Sequence, residues 1–291
     1  MLNLIVAPTN VCKKAEKITK TIVKFLKREK VDYSVFFSIS LEDLAGNVKR
    51  LSNAGETDFI AVGDDKILNV IINSVKDITK LKLGIIPVGS HDDFAQYLEI
   101  SNKPIQAIKD ILENNIESVD YMQVNDMNVL NNVVIGATVE AEQAYGQYKI
   151  KNRLTQRLAM LSYGNKFEGV ELVLEHKGTK HKKENIYELI LANGGTSKKK
   201  PISPLSNTQD GLFNLIYVGV GEQKINRNFI SKMKKGEHIH ADNVKQFWLD
   251  SIRITNSDNK VKALIDGIVL NLEAINVTMV EKGLKLFKKK N

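Results

Sequence analysis

The first part of the chain alternates short apolar runs with segments of helical spacing. The run 2–8 is aliphatic and ends in proline, which predicts a strand, and the next segment has apolar residues one helical turn apart at Ile18, Ile22, Phe25 and Leu26. Further strands are predicted at 31–39, 58–62 and 82–90, and further helices at 41–55, at 66–78 and from about Phe94. Because parallel strands need long return connections, this order predicts a parallel sheet with crossover helices.

The pattern changes near Asp120, where short β-prone segments separated by turn residues begin. The segment 118–141 is one of these runs, and helical spacing persists only around 152–167 and 225–238. The predicted fold class is therefore α/β plus all-β: an N-terminal three-layer α/β domain with a parallel sheet at 1–121, followed by a C-terminal antiparallel β-sandwich domain at 122–279. We expect the tail, about 280–291, to pack back on the first domain.

Composition narrows the function classes. The chain has 291 residues, a hydrophobic content of 43% and a formal charge of +8, which favours an anionic partner such as a nucleotide, a nucleic acid or an acidic membrane surface. Its one cysteine, Cys12, excludes an internal disulfide and a multi-cysteine zinc site. No apolar run approaches the length of about 18 residues that a membrane span requires. We expect a cytoplasmic protein, and peripheral attachment to a membrane fits the positive charge.

The stretch Phe59–Ile72 has the outline of a strand, a turn and a helix, and such a turn can bind phosphate through unpaired main-chain N–H groups. Gly63 allows close approach and Lys66 adds positive charge, but Val62 and Asp65 bring bulk and negative charge. From these residues alone, a plain strand-to-helix connection with a capping aspartate is the favoured interpretation.

The order of motifs along the whole chain resembles the diacylglycerol kinase catalytic-domain family, which is related to sphingosine kinases and NAD kinases. The family motif Gly-Gly-Asp-Gly-Thr-x-Asn-Glu is similar to residues 62–69, and the motif Pro-x-Gly-Thr-x-Asn-Asp-Phe-Ala to the more specific match at 87–95. In the second half, residues 132–141 resemble a Gly-Phe-Asp-Ala segment with Thr138 in place of the aspartate. Residues 193–212 resemble Asn-Gly, Ile-x-Pro and Asp-Gly-Leu stretches, and residues 265–267 resemble Ile-Asp-Gly.

The resemblance implies a fold like those of NAD kinase and diacylglycerol kinase, with ATP and Mg²⁺ bound in a cleft between the two domains. Its implied roles are catalytic for Asp266, as general base, and for Asp64 and Asp93; cofactor binding for Gly63, Asp64, Lys66, Gly89 and Ser90; and metal linkage for Asp210. Hard carboxylate oxygens suit magnesium, and a carboxylate can deprotonate an attacking hydroxyl. The sequence departs from the family at Ile268, which replaces a glutamate beside the proposed base, and at Lys198–Lys200, which replaces a glycine triplet.

Two functions remain open from the sequence. The first is an ATP- and magnesium-dependent lipid kinase that phosphorylates a lipid alcohol at a membrane surface. The second is a catalytically impaired relative that serves as a lipid- or protein-binding module, because the loop 62–66 has lost residues that hold a nucleotide. Binding of nucleic acid through the basic clusters is disfavoured, since no array of aromatic and basic residues accompanies them. A homodimer is compatible with the sequence.

Overall fold

The computed structural model describes residues 1–89, 92–150, 153–164, 166–197, 200–220, 232 and 235–290. Its internal contacts divide the chain into two compact units, which are residues 1–121 with 281–291, and residues 122–280. The fold class predicted from the sequence, an α/β unit followed by an antiparallel β unit, is confirmed.

The first unit contains a parallel sheet. Its strands are β1 (Leu2–Val6), β2 (Tyr33–Phe37), β3 (Asp58–Gly63) and β4 (Lys82–Pro87), in the order β2-β1-β3-β4. The last residues of the C-terminal strand β17 (Ile275–Lys288) add a parallel neighbour to β4, with Lys285 opposite Lys82. The sheet is almost fully buried at β1, β3 and β4, as expected of parallel strands covered on both faces.

The helices of this unit are α1 (Ala15–Arg28), α2 (Leu41–Asn53), α3 (Asp65–Ser74), the short α4 (Asp93–Tyr97) and α5 (Pro104–Leu112). Helix α1 packs against α5, and α2 packs against α3, so the sheet lies in a three-layer arrangement with these two pairs. Ser40 caps α2 by accepting the N–H of Asp43 at 3.2 Å. The helix ends before Gly55, whose φ of +90° is the left-handed conformation that glycine adopts most easily.

The second unit is an antiparallel sandwich. Its strands are β5 (Asn115–Val124, which begins in the first unit), β6 (Met127–Val129), β7 (Asn132–Gly136), β8 (Val170–His176), β9 (Thr179–Ala192), β10 (Thr196–Ser197), β11 (Lys200–Pro201), β12 (Phe213–Gly219), β13 (Val244–Leu249), β14 (Ser251–Thr255), β15 (Val261–Ile265), β16 (Ile268–Leu272) and the first part of β17. The long strand β9 pairs with β8 through its first half and with β7 and β12 through its second half. Inward-facing aliphatic residues from both sides, including Leu172, Leu189 and Ile254, form one buried core.

Two helices interrupt the sandwich, α6 (Ala137–Gly146) and α7 (Arg153–Gly164). The prediction of a β-prone run through residue 141 is wrong for its end, because α6 begins at Ala137. Gly136 has φ +125°, which ends the strand, and a Cβ at this position would overlap the carbonyl oxygen of Tyr187. The buried carboxylate of Glu188 then accepts the N–H of Thr138 at 3.0 Å and stabilises the new helix N-terminus. Helix α7 agrees with the predicted helical spacing, whereas most of the segment predicted to be helical at 225–238 lies outside the described residues.

Candidate functional site

The loop after β3 contains the first group of residues proposed for nucleotide binding. Gly63 ends the strand, and Asp64 precedes α3 with an extended backbone at φ −106° and ψ −174°. A Cβ at Gly63 would lie 2.5 Å from Cγ1 of Ile67 and 3.0 Å from Cβ of Ala7. Helix α3 and the end of β1 therefore require glycine at this position for packing alone.

The loop after β4 lies against the loop after β3. The N–H of Val88 donates to the carbonyl oxygen of Gly63 at 2.9 Å. A Cβ at Gly89 would lie 3.0 Å from Cβ of Asp64 and 3.1 Å from Oδ1 of Asp92. The absence of a side chain at Gly89 thus lets this loop approach Asp64, and the side chains of Asp64 and Asp92 border the same glycine.

The loop after β1 joins these two loops through Cys12. Its thiol is buried and donates to the carbonyl oxygen of Val88 at 2.6 Å. Burial raises the pKa of Cys12, and the negative charges of Asp64 and Asp92 raise it further, although main-chain N–H groups oppose the shift. Three loops that follow neighbouring parallel strands therefore meet at the carboxyl edge of the sheet, where open α/β sheets bind ligands.

The side chain of Asp65 connects the two motifs. Its Oδ2 accepts the N–H of Asp93 at 2.9 Å and the N–H of Phe94 at 3.1 Å, at the beginning of α4. In the family motif this position is a glycine, which has no side chain to make such a bridge. The neighbouring Lys66 is half-buried in the first turn of α3. The loop thus places an anionic group and a cationic group side by side.

The remaining residues proposed for this unit have different positions. Asp93 is buried, with 6% of its surface exposed, and is the first residue of α4. Ser90 lies outside the described residues. Within the described ranges, no three side chains of histidine, cysteine, aspartate or glutamate are grouped closely enough to hold a metal ion. A magnesium ion here would therefore need ligands beyond this chain, such as phosphate oxygens and water, which is how Mg²⁺ is usually bound.

In the second unit, Asp266 occupies a tight turn. Asp266 and Gly267, with φ +41° and φ +84°, form the two-residue connection between β15 and β16. Such Asp-Gly turns match the twist of a hairpin. The buried carboxylate of Asp266 accepts the N–H of Leu130 at 2.8 Å through Oδ2 and the N–H groups of Asn131 and Asn132 at 3.0 Å each through Oδ1. The residue proposed as general base is thus also a structural anchor for the segment between β6 and β7.

A buried amide network continues from this anchor. Asn193 donates its main-chain N–H to the carbonyl oxygen of Asn131 at 2.9 Å and its side-chain N–H to the carbonyl oxygen of Leu130 at 2.8 Å. The side chain of Asn131 donates to the carbonyl oxygen of Thr196 at 3.1 Å, whereas its buried Oδ1 accepts no hydrogen bond from the part of the chain that is described. This oxygen is suited to a ligand that donates a hydroxyl hydrogen.

Asp210 has a simpler environment than Asp266. It is exposed, and its Oδ1 accepts the N–H of Leu212 at 3.1 Å in the turn before β12. This local hydrogen bond is typical of an aspartate in a turn. Of the lysines that replace the glycine triplet, Lys198 and Lys199 lie outside the described residues, and Lys200 begins β11.

The second unit also contains a cavity of about 260 Å³ between α6 and the strands β7, β8 and β15. Its walls are mixed in polarity, and their apolar part includes Val139, Phe167 and Leu172. At its edge, Nζ of Lys262 lies 2.6 Å from Oε1 of Glu140 in an ion pair. The cavity can therefore hold an apolar group with a charged pair beside it.

The sequence did not point to Asp92 or Asn131, or to the contact that Asp65 makes with the start of α4. The paired acids Asp64-Asp65 and Asp92-Asp93 were a sequence signal for Asp92 and Asp65.

Within the described residues, no helix is both long enough and apolar enough to span a membrane.

Two family models cover almost the whole sequence. Residues 1–124 match the diacylglycerol kinase catalytic domain, and residues 131–288 match the YegS C-terminal NAD kinase beta sandwich-like domain. A diacylglycerol kinase of Bacillus subtilis (strain 168) is 24% identical over 217 residues, which cover 72% of this chain and 70% of that protein. A diacylglycerol kinase of Staphylococcus aureus (strain JH9) is 23% identical over 265 residues, which cover 85% of this chain and 82% of the relative.

Solved structures show the same fold. A diacylglycerol kinase from Bacillus anthracis str. Sterne superposes with a TM-score of 0.72 at 14% identity, covering 99% of this chain and 97% of that one. An NAD kinase from Archaeoglobus fulgidus, solved in complex with ATP, superposes with a TM-score of 0.54 at 13% identity, covering 100% of this chain and 94% of that one.

Proposed function

Because the chain belongs to the diacylglycerol kinase catalytic-domain family, we propose that it is a lipid kinase, which transfers the γ-phosphoryl group of ATP to the hydroxyl of a membrane lipid. The observation that best supports this proposal is the meeting of the loops after β1, β3 and β4 at one edge of the parallel sheet. There, Gly89 packs directly against the buried Asp64.

In the first unit, we assign nucleotide binding to Gly63, Asp64, Lys66, Gly89 and Ser90. The half-buried Lys66 suits a phosphate in charge, and the side chains of Asp64 and Asp92, which border Gly89, suit Mg²⁺ in ligand type. Asp93 is assigned to the same site. Magnesium bound here would reduce the negative charge of the phosphates. Asp65 does not fit a phosphate site, because its carboxylate already accepts the N–H groups at the start of α4 that a phosphate would use.

In the second unit, we assign the acceptor alcohol to the surroundings of Asp266. The lipid oxygen would attack the γ-phosphorus, the bond to the ADP oxygen would break, and the hydroxyl proton would pass to the carboxylate of Asp266. Oδ1 of Asn131, a buried acceptor beside the main-chain N–H that binds Asp266, suits the hydroxyl group before it reacts. Asp210 is assigned a magnesium-linked role, and the cavity under α6 is suited to an apolar part of the lipid.

The test is a transfer assay with the full chain, labelled ATP, magnesium and mixed micelles that contain diacylglycerol. We expect labelled lipid phosphate from the wild type and almost none from Asp64→Asn. Asp258→Asn, an exposed aspartate in the turn before β15, is the matched control and should keep wild-type activity. Absence of labelled lipid from the wild type, or equal labelling from Asp64→Asn, contradicts the proposal.

A second function is supported by one contact. Since Asp65 bridges the two loops with a negative charge, the chain is also suited to be a binding module that has lost nucleotide affinity. Calorimetric titration with ATP separates the two functions. Magnesium-dependent binding of ATP favours the kinase, and absence of binding at millimolar nucleotide favours the module.

A further inference from the structure

Residues 130–132 are buried, and their main-chain polar groups bond to two places in the chain. The three N–H groups donate to the carboxylate of Asp266, as described above. The last carbonyl oxygen of the segment accepts the main-chain N–H of Asp266 at 3.1 Å. The first carbonyl oxygen accepts the side-chain N–H of Asn193 at 2.8 Å, and the second accepts the main-chain N–H of Asn193 at 2.9 Å. Asp266 and Asn193 thus hold this segment together.

Asn193 acts on the same peptide groups as Asp266. A trans peptide group is planar, so that its C=O and its N–H point in opposite directions. In the group that joins Leu130 to Asn131, the C=O accepts the side chain of Asn193 and the N–H donates to Oδ1 of Asp266. In the next group, the C=O accepts the main chain of Asn193 and the N–H again donates to Oδ1. Because rotation of either group would break a bond at both ends, Asn193 fixes the direction in which these N–H groups meet the carboxylate.

The same segment carries a buried acceptor that is suited to a ligand. Asn131 is only 4% exposed, and its Oδ1 accepts no hydrogen bond from the residues that the structure describes. Its amide nitrogen donates to the carbonyl oxygen of Thr196 at 3.1 Å, three residues after Asn193, which fixes the orientation of the side chain. A buried acceptor without a donor is costly unless a ligand or water supplies one. One segment therefore fixes both this acceptor and the carboxylate of Asp266.

We propose that Asn193 is a positioning residue for phosphoryl transfer, which holds residues 130–132 so that the carboxylate of Asp266 and Oδ1 of Asn131 meet the acceptor hydroxyl together. This role rests on the proposed lipid kinase function, and Asn193 acts through those two side chains and not on the substrate. Its place is firm, because it is fully buried and directly follows β9, which pairs with both β7 and β12. A displacement of about 1 Å at a reacting group can lower a rate about a hundredfold.

Asn193→Ala tests the proposal, because it removes the side-chain donor and keeps the main-chain one. Asn3→Ala is the matched control. Asn3 is also fully buried and also donates its side-chain N–H to a main-chain carbonyl oxygen, that of Asp58 at 3.2 Å, but it lies near the beginning of β1 in the other unit. Both substitutions should lower the melting temperature, since each leaves a carbonyl oxygen without its donor.

Only Asn193→Ala should impair transfer. In assays of the full chain with magnesium-ATP and diacylglycerol in mixed micelles, well below the melting temperature of each variant, we expect its kcat to fall at least about tenfold. The KM for ATP should stay unchanged, because nucleotide binding is assigned to the first unit. Asn3→Ala should keep the wild-type kcat. Asn193→Ser, which retains a shorter donor, should give an intermediate kcat, and it replaces Asn193→Ala if that variant does not fold.

Hydrogen exchange of the full chain reports the segment without turnover. In Asn193→Ala, the amides of residues 130–132 should exchange at least about tenfold faster than in the wild type. The amides of β14 in the same unit serve as the internal reference and should change much less. Asn3→Ala should leave the exchange of residues 130–132 as it is in the wild type.

The inference about Asn193 is overturned if Asn193→Ala keeps the wild-type kcat, or if its amides at 130–132 accelerate no more than those of β14. It is also overturned if Asn3→Ala loses as much kcat, since lower stability would then explain both variants. A wild type without transfer activity overturns the kinase function and the role of Asn193 in transfer with it. An active wild type with an equally active Asn193→Ala overturns the role of Asn193 alone, so the two failures are distinguishable.

Discussion

Asp266→Asn is the usual test of a proposed catalytic base, but here it should also destabilise the protein. The carboxylate accepts three main-chain N–H groups, two through Oδ1 and one through Oδ2. An asparagine can keep the Oδ1 contacts, but its amide nitrogen then faces the N–H of Leu130 and cannot accept it. A buried donor left without an acceptor costs about 1–3 kcal/mol, and hydrogen bonds to a charged group are stronger than those to a neutral one.

We therefore expect Asp266→Asn to lower the free energy of unfolding by about 2–3 kcal/mol. For a unit of this size, that corresponds to a decrease in melting temperature of roughly 4–12 °C. Asp210→Asn is a matched control, because it also precedes a glycine in a turn but is exposed and accepts only a local N–H, which asparagine can also satisfy. It should change the stability by less than about 0.5 kcal/mol.

Two measurements separate the role of Asp266 as a base from its role as a structural anchor. Calorimetry reports the stability, and a transfer assay well below the melting temperatures of Asp266→Asn and Asp210→Asn reports the activity. If folded Asp266→Asn has no transfer activity, Asp266 acts as the base. If activity returns at low temperature, Asp266 acts only by stabilising the fold. A melting temperature for Asp266→Asn within about 1 °C of the wild type would refute the reasoning about the three N–H groups.

Three further predictions follow from single contacts. Asp65→Asn keeps an oxygen that can accept the N–H groups at the start of α4 but removes the negative charge. It should therefore raise the affinity for magnesium-ATP about tenfold, as measured by calorimetry. Unchanged affinity would show that the charge of Asp65 does not oppose phosphate binding. Gly136→Ala should cost more than about 2 kcal/mol in chemical denaturation, because φ is positive and a Cβ would overlap a carbonyl oxygen. By contrast, Gly46→Ala, with no neighbour within 4 Å inside α2, should stabilise by about 0.5–1 kcal/mol. Burial lowers the pKa of His238 in the folded protein, so the unfolded chain binds the proton more readily. The free energy of unfolding should therefore decrease below about pH 6.5, by at most about 1.4 kcal/mol per pH unit. His238→Gln should flatten this dependence, and an equal slope in that variant would contradict the prediction.

The α/β fold of the first unit could be predicted from the sequence because its signals are local. Strands such as β3 and helices such as α2 are continuous, periodic and bounded by their own capping or glycine residues. Helix α6 could not be predicted in this way. It follows a strand directly and has the β-branched Thr138 and Val139 in its first turn. Its N-terminus also depends on Glu188, which lies 50 residues away from Thr138 in the chain.

The two loop motifs could be located from the sequence, whereas the contacts between them could not, and the roles of their residues stay predictions. The motifs around Gly63 and Gly89 could be recognised in the sequence, and the structure places them in adjacent loops. The bridge from Asp65 to the beginning of α4 depends on how closely those loops approach, which spacing along the chain does not give. For the same reason, the contact of Asp266 with Leu130, 136 residues away in the chain, was not visible beforehand. Whether the carboxylates of the two units act on one substrate stays a prediction.

The route of β17 has a consequence for synthesis of the protein. Residues 281–291 belong to the first unit, and Leu286 pairs with Leu83 of β4, although about two hundred residues are translated between them. During translation, the edge of β4 therefore lacks its partner strand until the whole second unit has been synthesised. The second unit is one continuous segment and can fold in that interval. We expect the nascent first unit to expose an aggregation-prone strand edge throughout this interval. A chaperone that shields this edge should raise the yield of the full-length protein more than a chaperone that acts on the sandwich.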